Sequence, residues 1–145
     1  MSLNLIIIDS NFILLPFQFK VDYLHEIRHI IEGKLKFIIY QQVLNELESK
    51  KKRESRATKF IRLLESGLSY LDKHKSDYDF NFLDDVKNSD ETTDDFLLRK
   101  LTGLKKEGNI LYLASNDSEL RKKAREREIN TIFLRKKKYL FIERV

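Results

Sequence analysis

The 145-residue sequence contains no cysteine, and this absence removes several kinds of chemistry. Disulfide frameworks, thiolate zinc sites, iron–sulfur clusters and cysteine nucleophiles all require the sulfur atom. Any metal site in this chain must therefore use oxygen or nitrogen ligands. A chain without cysteine has no need of an oxidising compartment, and we expect a cytoplasmic protein.

Proline and glycine are also scarce, with one proline and four glycines, which argues against a loop-rich or low-complexity chain. The apolar runs are too short to cross a membrane, and the N-terminus lacks the basic and apolar regions of a signal peptide. Hydrophobic residues make up 41% of the sequence and aromatic residues 11%, which is enough to form a core. We therefore expect one compact domain over residues 1–145, with no membrane contact.

The charges are unevenly distributed, although the net charge is only +5. The segment from Asp72 to Asp95 has nine acidic residues against three basic ones, whereas the segment from Arg121 to Lys138 has nine basic residues against two acidic ones. An acidic centre with basic flanks is typical of a metal-using enzyme that acts on a polyanion. A highly charged, thermostable surface is the alternative explanation for the same composition.

Short apolar runs alternate with segments of helical periodicity along the chain. Strands are predicted at residues 3–8, 35–40, 110–115 and 130–134, with a short edge strand at 139–142 and a strand or a loop at 78–82. Helices are predicted at residues 21–32, 41–49, 92–106 and 117–128, with another from Glu54 or Ser55 to Leu71, and a short one at 12–15 stopped by Pro16. This order predicts an α/β fold, with three α/β/α layers around a central parallel sheet of four to five strands.

Four acidic residues are predicted to lie near the carboxyl ends of the strands, where function gathers in such sheets. Asp9 ends the first strand, and Glu46 lies about two turns into the helix after the second. Asp94 is in the first turn of the central helix, and Asp117 follows the third apolar strand. Four converging carboxylates would repel each other unless a cation lay among them. Oxygen ligands without cysteine suit hard divalent cations, so Mg²⁺ or Mn²⁺ is the expected cofactor.

Each of these acids also has an ordinary structural explanation. Asp9 and Asp117 are good N-cap residues for the segments that follow them. Glu46 is explained equally well as one more solvated glutamate on a helix. These alternatives stay open at the level of the sequence.

Asp94 and Asp95 are neighbours, and the sequence around them favours Asp94 as the ligand. Thr92 to Asp95 resembles a capping box, in which Thr92 is the N-cap and Asp95 is occupied at its own helix end. Asp94 is then the freer carboxylate. A shift of one position in the helix would make Asp95 a contributor instead.

Four short segments resemble the sequence motifs of PIN domains, in the order in which that family has them. They are residues 7–11 (Ile-Ile-Asp-Ser-Asn), 43–47 (Val-Leu-Asn-Glu-Leu), 93–98 (Thr-Asp-Asp-Phe-Leu-Leu) and 115–117 (Ser-Asn-Asp). The resemblance implies a PIN-like α/β fold and Mg²⁺- or Mn²⁺-dependent cleavage of RNA. It implies an acidic set of Asp9, Glu46, Asp94 and Asp117. It also implies that nearby polar residues orient this set, namely Ser115, Asn11 and Asn116.

Within the family, residues 9–12, 116–121 and 134–139 are most similar to small archaeal PIN proteins akin to the nuclease that processes small-subunit ribosomal RNA precursors. VapC-type toxins are the second choice. Some ribosomal relatives carry Tyr-Ala before the paired aspartates, where this chain has Thr92-Thr93. The resemblance implies RNA as a partner, together with an antitoxin or a ribosome-assembly partner, and it is compatible with a homodimer.

The basic runs supply candidates for contacts to the RNA backbone, although a solvated charged surface would account for many of them. The candidates are Lys50, Lys51, Lys52, Arg53, Arg121, Lys122, Arg125, Arg135, Lys136, Lys137 and Lys138. A non-catalytic RNA-binding subunit on the same fold is a second hypothesis, but its acidic set would be depleted. A phosphoacceptor receiver-like domain is a third, but it would need a second acid beside Asp9, which is absent.

Overall fold

The computed structural model describes residues 3–54 and 56–145. Its elements, in chain order, are β1 (Leu3–Ile8), α1 (Ser10–Ile13), α2 (Leu15–Gln18), α3 (Tyr23–Ile30), β2 (Lys34–Tyr40), α4 (Gln41–Arg53), α5 (Thr58–His74), β3 (Phe80–Leu83), α6 (Thr93–Lys106), β4 (Ile110–Ala114), α7 (Ser118–Glu126), β5 (Asn130–Arg135) and β6 (Tyr139–Glu143). Strands and helices alternate along most of the chain, as the apolar periodicity predicts.

The strands form one six-stranded sheet in the order β3-β2-β1-β4-β5-β6. The first five strands in this order pair in parallel, and β6 pairs antiparallel with β5. The predicted α/β fold with helices around a central parallel sheet is confirmed. The segment left open as strand or loop forms the strand β3, and the predicted edge strand is β6. The sheet is thus one strand larger than the predicted four to five, because the antiparallel edge strand adds to five parallel ones.

The central strands are apolar along most of their length because helices cover both faces of the sheet. Residues 5–8 of β1 and residues 111–114 of β4 are buried. Helix α6 packs over this region and buries Phe96, Leu97 and Leu101. The core therefore lies along β1 and β4, and the carboxyl ends of these two strands are neighbours.

The sequence predicts that Pro16 stops the first helical segment, but the structure shows no stop there. Pro16 lies in the first turn of α2, and α1 and α2 follow one another almost directly. The N–H groups of the first helical turn have no partner within their own helix, so proline is accepted there. The prediction of a stop at Pro16 is wrong for this reason.

Two further helices differ in length from their predictions. Helix α4 continues to Arg53 and has four basic residues in its last turn, where positive charge interacts favourably with the helix dipole. Helix α5 begins at Thr58 and ends at His74. The alternative start at Ser55 lies outside the described residues. Across residues 3–54 and 56–145, no helix combines the length and apolarity that crossing a membrane requires.

Candidate active site

Asp9 is the buried acid at the carboxyl end of β1, and only 5% of it is exposed. Its Oδ1 accepts a hydrogen bond from the Ser10 backbone N–H at 2.8 Å. Its Oδ2 accepts from the Ser115 hydroxyl at 2.7 Å and from the Asn11 amide at 3.2 Å. All three donors are neutral, so no cationic side chain among them balances the charge of this carboxylate.

Burial raises the pKa of Asp9 above its usual value because the ionised form loses its hydration. The hydrogen bonds from Ser115 and Ser10 oppose this rise. The charges of Asp94 and Asp117 raise the pKa further, which places both of these acids near Asp9. Asp9 is also the N-cap of α1, which is the alternative role that the sequence allows. Its carboxylate thus caps a helix and feels the charges of two other acids.

Ser115 links the two strand ends that carry acids. It is fully buried after β4, its hydroxyl donates to Asp9 Oδ2, and the same oxygen accepts the Asp117 N–H at 3.1 Å. The backbone N–H of Ser115 donates to the Ile132 carbonyl of β5 at 3.0 Å. One serine thus fixes the position of Asp9 relative to Asp117, which is the orienting role that the motif implies.

Asn11 and Asn116 extend this network to a third strand. The Asn11 side-chain oxygen accepts the Asn116 N–H at 2.9 Å. The Asn116 side-chain oxygen accepts the Leu134 N–H of β5, also at 2.9 Å. The loops after β1 and β4 are therefore joined to each other and to β5 through side-chain amides.

Asp117 is the N-cap of α7, as the alternative reading of the sequence has it. Its Oδ1 accepts the N–H groups of Glu119 and Leu120, at 3.0 and 3.2 Å. Both of these bonds use the same oxygen, which leaves Oδ2 for another ligand. Because the Asp117 charge raises the pKa of both Asp9 and Asp94, capping and membership of the acidic cluster occur together.

Asp94 is half-buried and Asp95 is exposed. The Thr92 hydroxyl accepts the Asp95 N–H at 3.1 Å, which is the N-cap register that the sequence predicts. Partial burial raises the pKa of Asp94, and the nearby charge of Asp117 raises it further, whereas Lys123 opposes the rise. Asp94, rather than Asp95, is therefore the aspartate whose charge acts on Asp9 and Glu46.

Glu46, the fourth predicted acid, is an exposed residue of α4. Its carboxyl group is partly desolvated, and this raises its pKa. The charges of Asp9 and Asp94 raise it further, while the Thr93 side chain and the charge of Arg53 oppose the rise. All four predicted acids thus lie near enough to influence at least one other acid of the set.

The chemistry of this donor set fits a hard divalent cation. Neighbouring carboxylates raise the pKa values of Asp9, Glu46 and Asp94, and a bound cation would relieve this repulsion. Within residues 3–54 and 56–145, however, no three histidine or acidic side chains are already close enough to hold an ion. An ion bound by Asp9, Asp94, Asp117 and Glu46 would therefore have to draw these carboxylates together.

Two basic residues lie beside the acids. Arg53, at the end of α4, influences Glu46, and Lys123 of α7 influences Asp94. Sequence reasoning named Arg53 but missed Lys123. Lys123 stands in the same basic stretch as Lys122, but only the packing of α7 against α6 brings it towards Asp94.

Two other residues that the sequence predicts as RNA contacts, Arg121 and Arg125, interact with other groups of the protein. Arg121 is half-buried, its Nη1 donates to the Ser115 carbonyl at 3.3 Å, and its guanidinium lies 4.0 Å from the centre of the Phe133 ring. Arg125 pairs with Glu143, with Nε and Oε1 3.3 Å apart. Arg121 therefore supports the loop that carries the acids, and both side chains are less free than the sequence implies.

The other basic candidates lie on the surface. Lys51 is half-buried, and the exposed ones are Lys50, Lys52, Arg53, Lys122, Arg135, Lys136, Lys137 and Lys138. The last four form the turn between β5 and β6, in which the Lys138 N–H donates to the Arg135 carbonyl at 3.1 Å. Lys136 and Lys137 have φ angles of 54° and 57°, a left-handed conformation that glycine or asparagine adopts more easily. The turn thus displays lysines in a backbone conformation that is unfavourable for them.

The fold and the site together define a class of protein: an α/β protein with a parallel sheet and a linked set of carboxylates at the carboxyl edge of that sheet. The profile of a family described as "PIN like domain" matches residues 6–137, which is most of the chain. The chain belongs to this family. The membership that the four motifs predict is confirmed.

Several known proteins are similar to this chain over nearly their full length. The ribonuclease VapC4 of Methanocaldococcus jannaschii is 26% identical over 138 residues, which cover 94% of this chain and 95% of the relative. The solved PIN domain endonuclease Utp24 has a TM-score of 0.64 at 23% identity, over 97% of this chain and 92% of its own. A domain of a functionally unknown M. jannaschii protein has a TM-score of 0.56 at 17% identity, over 90% and 91% of the two chains. At these identities the two solved structures support the fold alone.

Proposed function

We propose that residues 1–145 form one PIN-like nuclease domain, which acts in the cytoplasm as an endoribonuclease dependent on Mg²⁺ or Mn²⁺. The observation that carries this proposal is the Ser115 hydroxyl between Asp9 and Asp117. This serine joins the carboxylate of Asp9 to the backbone N–H of Asp117, at the edge of the sheet where α/β proteins place their sites. The ribonuclease activity named for the VapC4 relative supports RNA as the substrate.

In the proposed mechanism, Asp9, Asp94 and Asp117 would hold one or two divalent ions. Such ions, when bound, would supply the charge that activates water and stabilises the displaced 3′ oxygen. Glu46, whose raised pKa favours taking up a proton, orients the attacking water or completes the ligand set. Attack in line on phosphorus then leaves a 5′-phosphate on the product.

The basic residues around the cluster would hold the RNA backbone on both sides of the cleaved bond. The charge of Arg53 acts on Glu46, and the charge of Lys123 acts on Asp94. The turn between β5 and β6 adds four exposed positive charges further away. The exposed lysines of α4 and Lys122 of α7 would extend the same binding surface.

Two biological roles are compatible with this activity. The VapC name of the M. jannaschii relative agrees with the resemblance to VapC-type toxins, and that resemblance implies an antitoxin as partner. The motif resemblance favours processing of ribosomal RNA precursors with a ribosome-assembly partner. A homodimer is compatible with either role. A non-catalytic RNA-binding subunit is disfavoured because all four acids are present.

The activity is tested by incubating a structured RNA with the purified protein and Mn²⁺ or Mg²⁺. We expect wild-type protein to cleave, and Asp9→Asn and Asp117→Asn to lose cleavage while keeping RNA binding. Asp95→Asn is the matched control, because Asp95 is an exposed acid beside the cluster, and it should keep activity. Cleavage by both Asp9→Asn and Asp117→Asn at the wild-type rate would reject the proposed site.

The two roles are separated by expressing the wild-type protein and the Asp9→Asn variant in cells. Arrest of growth by the wild type alone supports a toxin. Accumulation of ribosomal RNA precursors when the gene is depleted, without arrest on expression, supports a processing enzyme.

A further inference from the structure

A buried glutamine joins α4 to the segment that leads into α6. Gln42 is in the first turn of α4 and is only 7% exposed. Its side-chain oxygen accepts the Lys87 N–H at 3.1 Å, and its side-chain nitrogen donates to the Thr93 hydroxyl at 3.1 Å. Its backbone N–H donates to the Asp85 carbonyl at 3.2 Å. One residue therefore contacts this segment at three points, all through hydrogen bonds.

Thr93 connects this glutamine to two of the acids. It begins α6 directly before Asp94, and its side chain opposes the rise in the pKa of Glu46. Glu46 lies four residues after Gln42, so both side chains lie on the same face of α4. Because the Gln42 amide donates to the Thr93 oxygen, the hydroxyl proton is available to point towards Glu46. The result is a chain of contacts from Gln42 through Thr93 to the start of α6, beside Glu46.

Two ion pairs hold the outer side of the same segment. Arg99 donates to both carboxylate oxygens of Glu91, at 2.8 and 2.9 Å, and this pairing lowers the pKa of Glu91 to about 2. Lys100 pairs with Asp85. These contacts come from α6 itself, whereas Gln42 supplies a contact from α4. Gln42 therefore connects the start of α6 to the helix that carries Glu46.

We propose that Gln42 is a positioning residue, which holds Thr93 and the start of α6 so that Glu46 and Asp94 face Asp9. Its part in metal binding rests on the proposed nuclease function. The charge of Asp94 raises the pKa values of Glu46 and Asp9, and these like charges would move apart if nothing restrained the elements that carry them. Gln42 supplies that restraint from inside the fold, without touching the acids.

The positioning is tested first in the metal-free protein, with the variant Gln42→Leu. Leucine has a similar volume but cannot bond Lys87 or Thr93, so hydrogen exchange at the Lys87 amide should become at least about 10-fold faster. Gln41→Leu is the matched control. Gln41 is the exposed neighbour, and its side chain bonds only Asn45 on the surface of α4. Unchanged exchange at Lys87 in Gln42→Leu would overturn the proposal.

The consequence for metal binding is measured by calorimetric titration with Mn²⁺. Loss of a residue that orients metal ligands costs about 10- to 100-fold in affinity, and we expect Gln42→Leu to lose about 10-fold. Thr93→Val should show a similar loss, and Thr93→Ser, which restores the hydroxyl, should recover most of the affinity. The double variant Gln42→Leu/Thr93→Val should lose little more than either single variant, because both break one chain of contacts.

Additive losses in the double variant, or no rescue by Thr93→Ser, would overturn the link between Gln42 and the acids. If Gln42→Leu does not fold, as judged by circular dichroism, the Thr93 pair still tests the same chain. If wild-type protein binds no Mn²⁺ and cleaves no RNA, the proposed function fails, whereas exchange at Lys87 still reports on Gln42. The two failures are thus distinguishable.

Discussion

At the scale of single residues, helix capping and an acidic cluster use the same side chains. Asp9 and Asp117 each accept backbone N–H groups at the start of a helix, and each also influences the other acids. A cap requires one carboxylate oxygen, so the second oxygen stays available for another partner. An aspartate that follows a strand and precedes a helix can therefore cap the helix with one oxygen and offer the other oxygen to a ligand.

Ser115→Ala is predicted to weaken both the fold and the site. The variant removes the hydroxyl that donates to Asp9 and accepts from Asp117, and it leaves a buried oxygen without that donor. We expect a loss of about 1–3 kcal/mol in the free energy of unfolding, measured in urea, and a weaker Mn²⁺ affinity by about 10-fold or more. Ser118→Ala, at an exposed serine of the same loop and helix, is the control and should change neither quantity.

Asp94→Asn is predicted to stabilise the metal-free protein, and to do so more strongly as the pH rises. Folding raises the pKa of Asp94 above 3.8, so the folded state binds this proton more tightly than the unfolded state. The wild type therefore loses stability as the pH rises from 3.8 through the folded pKa, and the asparagine variant avoids that loss.

The measurement is the free energy of unfolding in urea with a chelator present, for both proteins across the acidic range. The advantage of the variant should be absent below pH 3.8 and should grow above it. Asp95→Asn removes an exposed charge from the same helical turn and controls for the helix dipole. A constant difference between wild type and Asp94→Asn at all pH values would contradict the prediction.

At the scale of the elements, α5 crosses the first helical segment at a glycine. A Cβ atom added at Gly67 would lie 2.0 Å from the Ile13 carbonyl oxygen, far inside contact distance. The chain can approach so closely only because Gly67 has no side chain. This crossing places α5 against the segment that follows Asp9.

Gly67→Ala should therefore cost about 3 kcal/mol or more in the free energy of unfolding, because backbone must move to admit the methyl group. Gly103→Ala is the matched control, since Gly103 also lies within a helix but a Cβ there would meet no atom within 4 Å. It should stabilise by about 1 kcal/mol through helix propensity alone. Urea unfolding measures the free energy of unfolding of both variants. Equal changes in this free energy would contradict the close approach of α5 to Ile13.

In the turn between β5 and β6, we expect glycine substitutions at two neighbouring lysines to change stability in opposite directions. Lys137 has a left-handed φ of 57°, so Lys137→Gly should stabilise by about 1 kcal/mol by relieving that strain. Lys138→Gly removes the same charge from a residue outside the left-handed region and should destabilise slightly, because glycine loses more freedom on folding. Thermal unfolding measures both. If Lys137→Gly proves no more stable than Lys138→Gly, the strain is not present in solution.

At the scale of the whole molecule, the acids and bases are separated in a way that suits a polyanion. Asp9 and Asp117 follow neighbouring strands at one edge of the sheet, and exposed basic residues lie on α4, on α7 and in the β5–β6 turn. A bound cation would convert the repulsive centre into an attractive one. RNA binding should then depend strongly on salt, because phosphate contacts release counterions.

The double variant Lys136→Ala/Lys137→Ala should bind single-stranded RNA more weakly, with a smaller dependence on salt. Each phosphate contact contributes about 0.7 to the slope of log affinity against log salt, so the slope should fall by about 1.4. Fluorescence anisotropy with a chelator present measures binding without cleavage. Arg125→Ala, which removes a base already paired with Glu143, is the control with a smaller expected change.

Much of the fold could be predicted from local pattern. The apolar strands and the periodic helices appear where hydrophobic spacing places them, and the Thr92 cap fixes the register that distinguishes Asp94 from Asp95. Pro16 was misjudged because local rules do not say whether a proline ends one helix or begins the next. The exact ends of α4 and α5 were missed because their last turns depend on charge and packing as well as on propensity.

The sequence by itself determined the residue types, their order and their place at strand and helix ends, since these follow from short-range rules of propensity and capping. Only the tertiary structure decided which side chains meet. The Ser115 bridge joins residues 106 positions apart, and the Gln42–Thr93 bond spans 51 positions. The tertiary structure also decided that Arg121 packs on the ring of Phe133 and that the charge of Lys123 acts on Asp94. Such contacts depend on how strands pair and helices pack, and hydrophobic patterning along a single chain carries no information about distances between its segments.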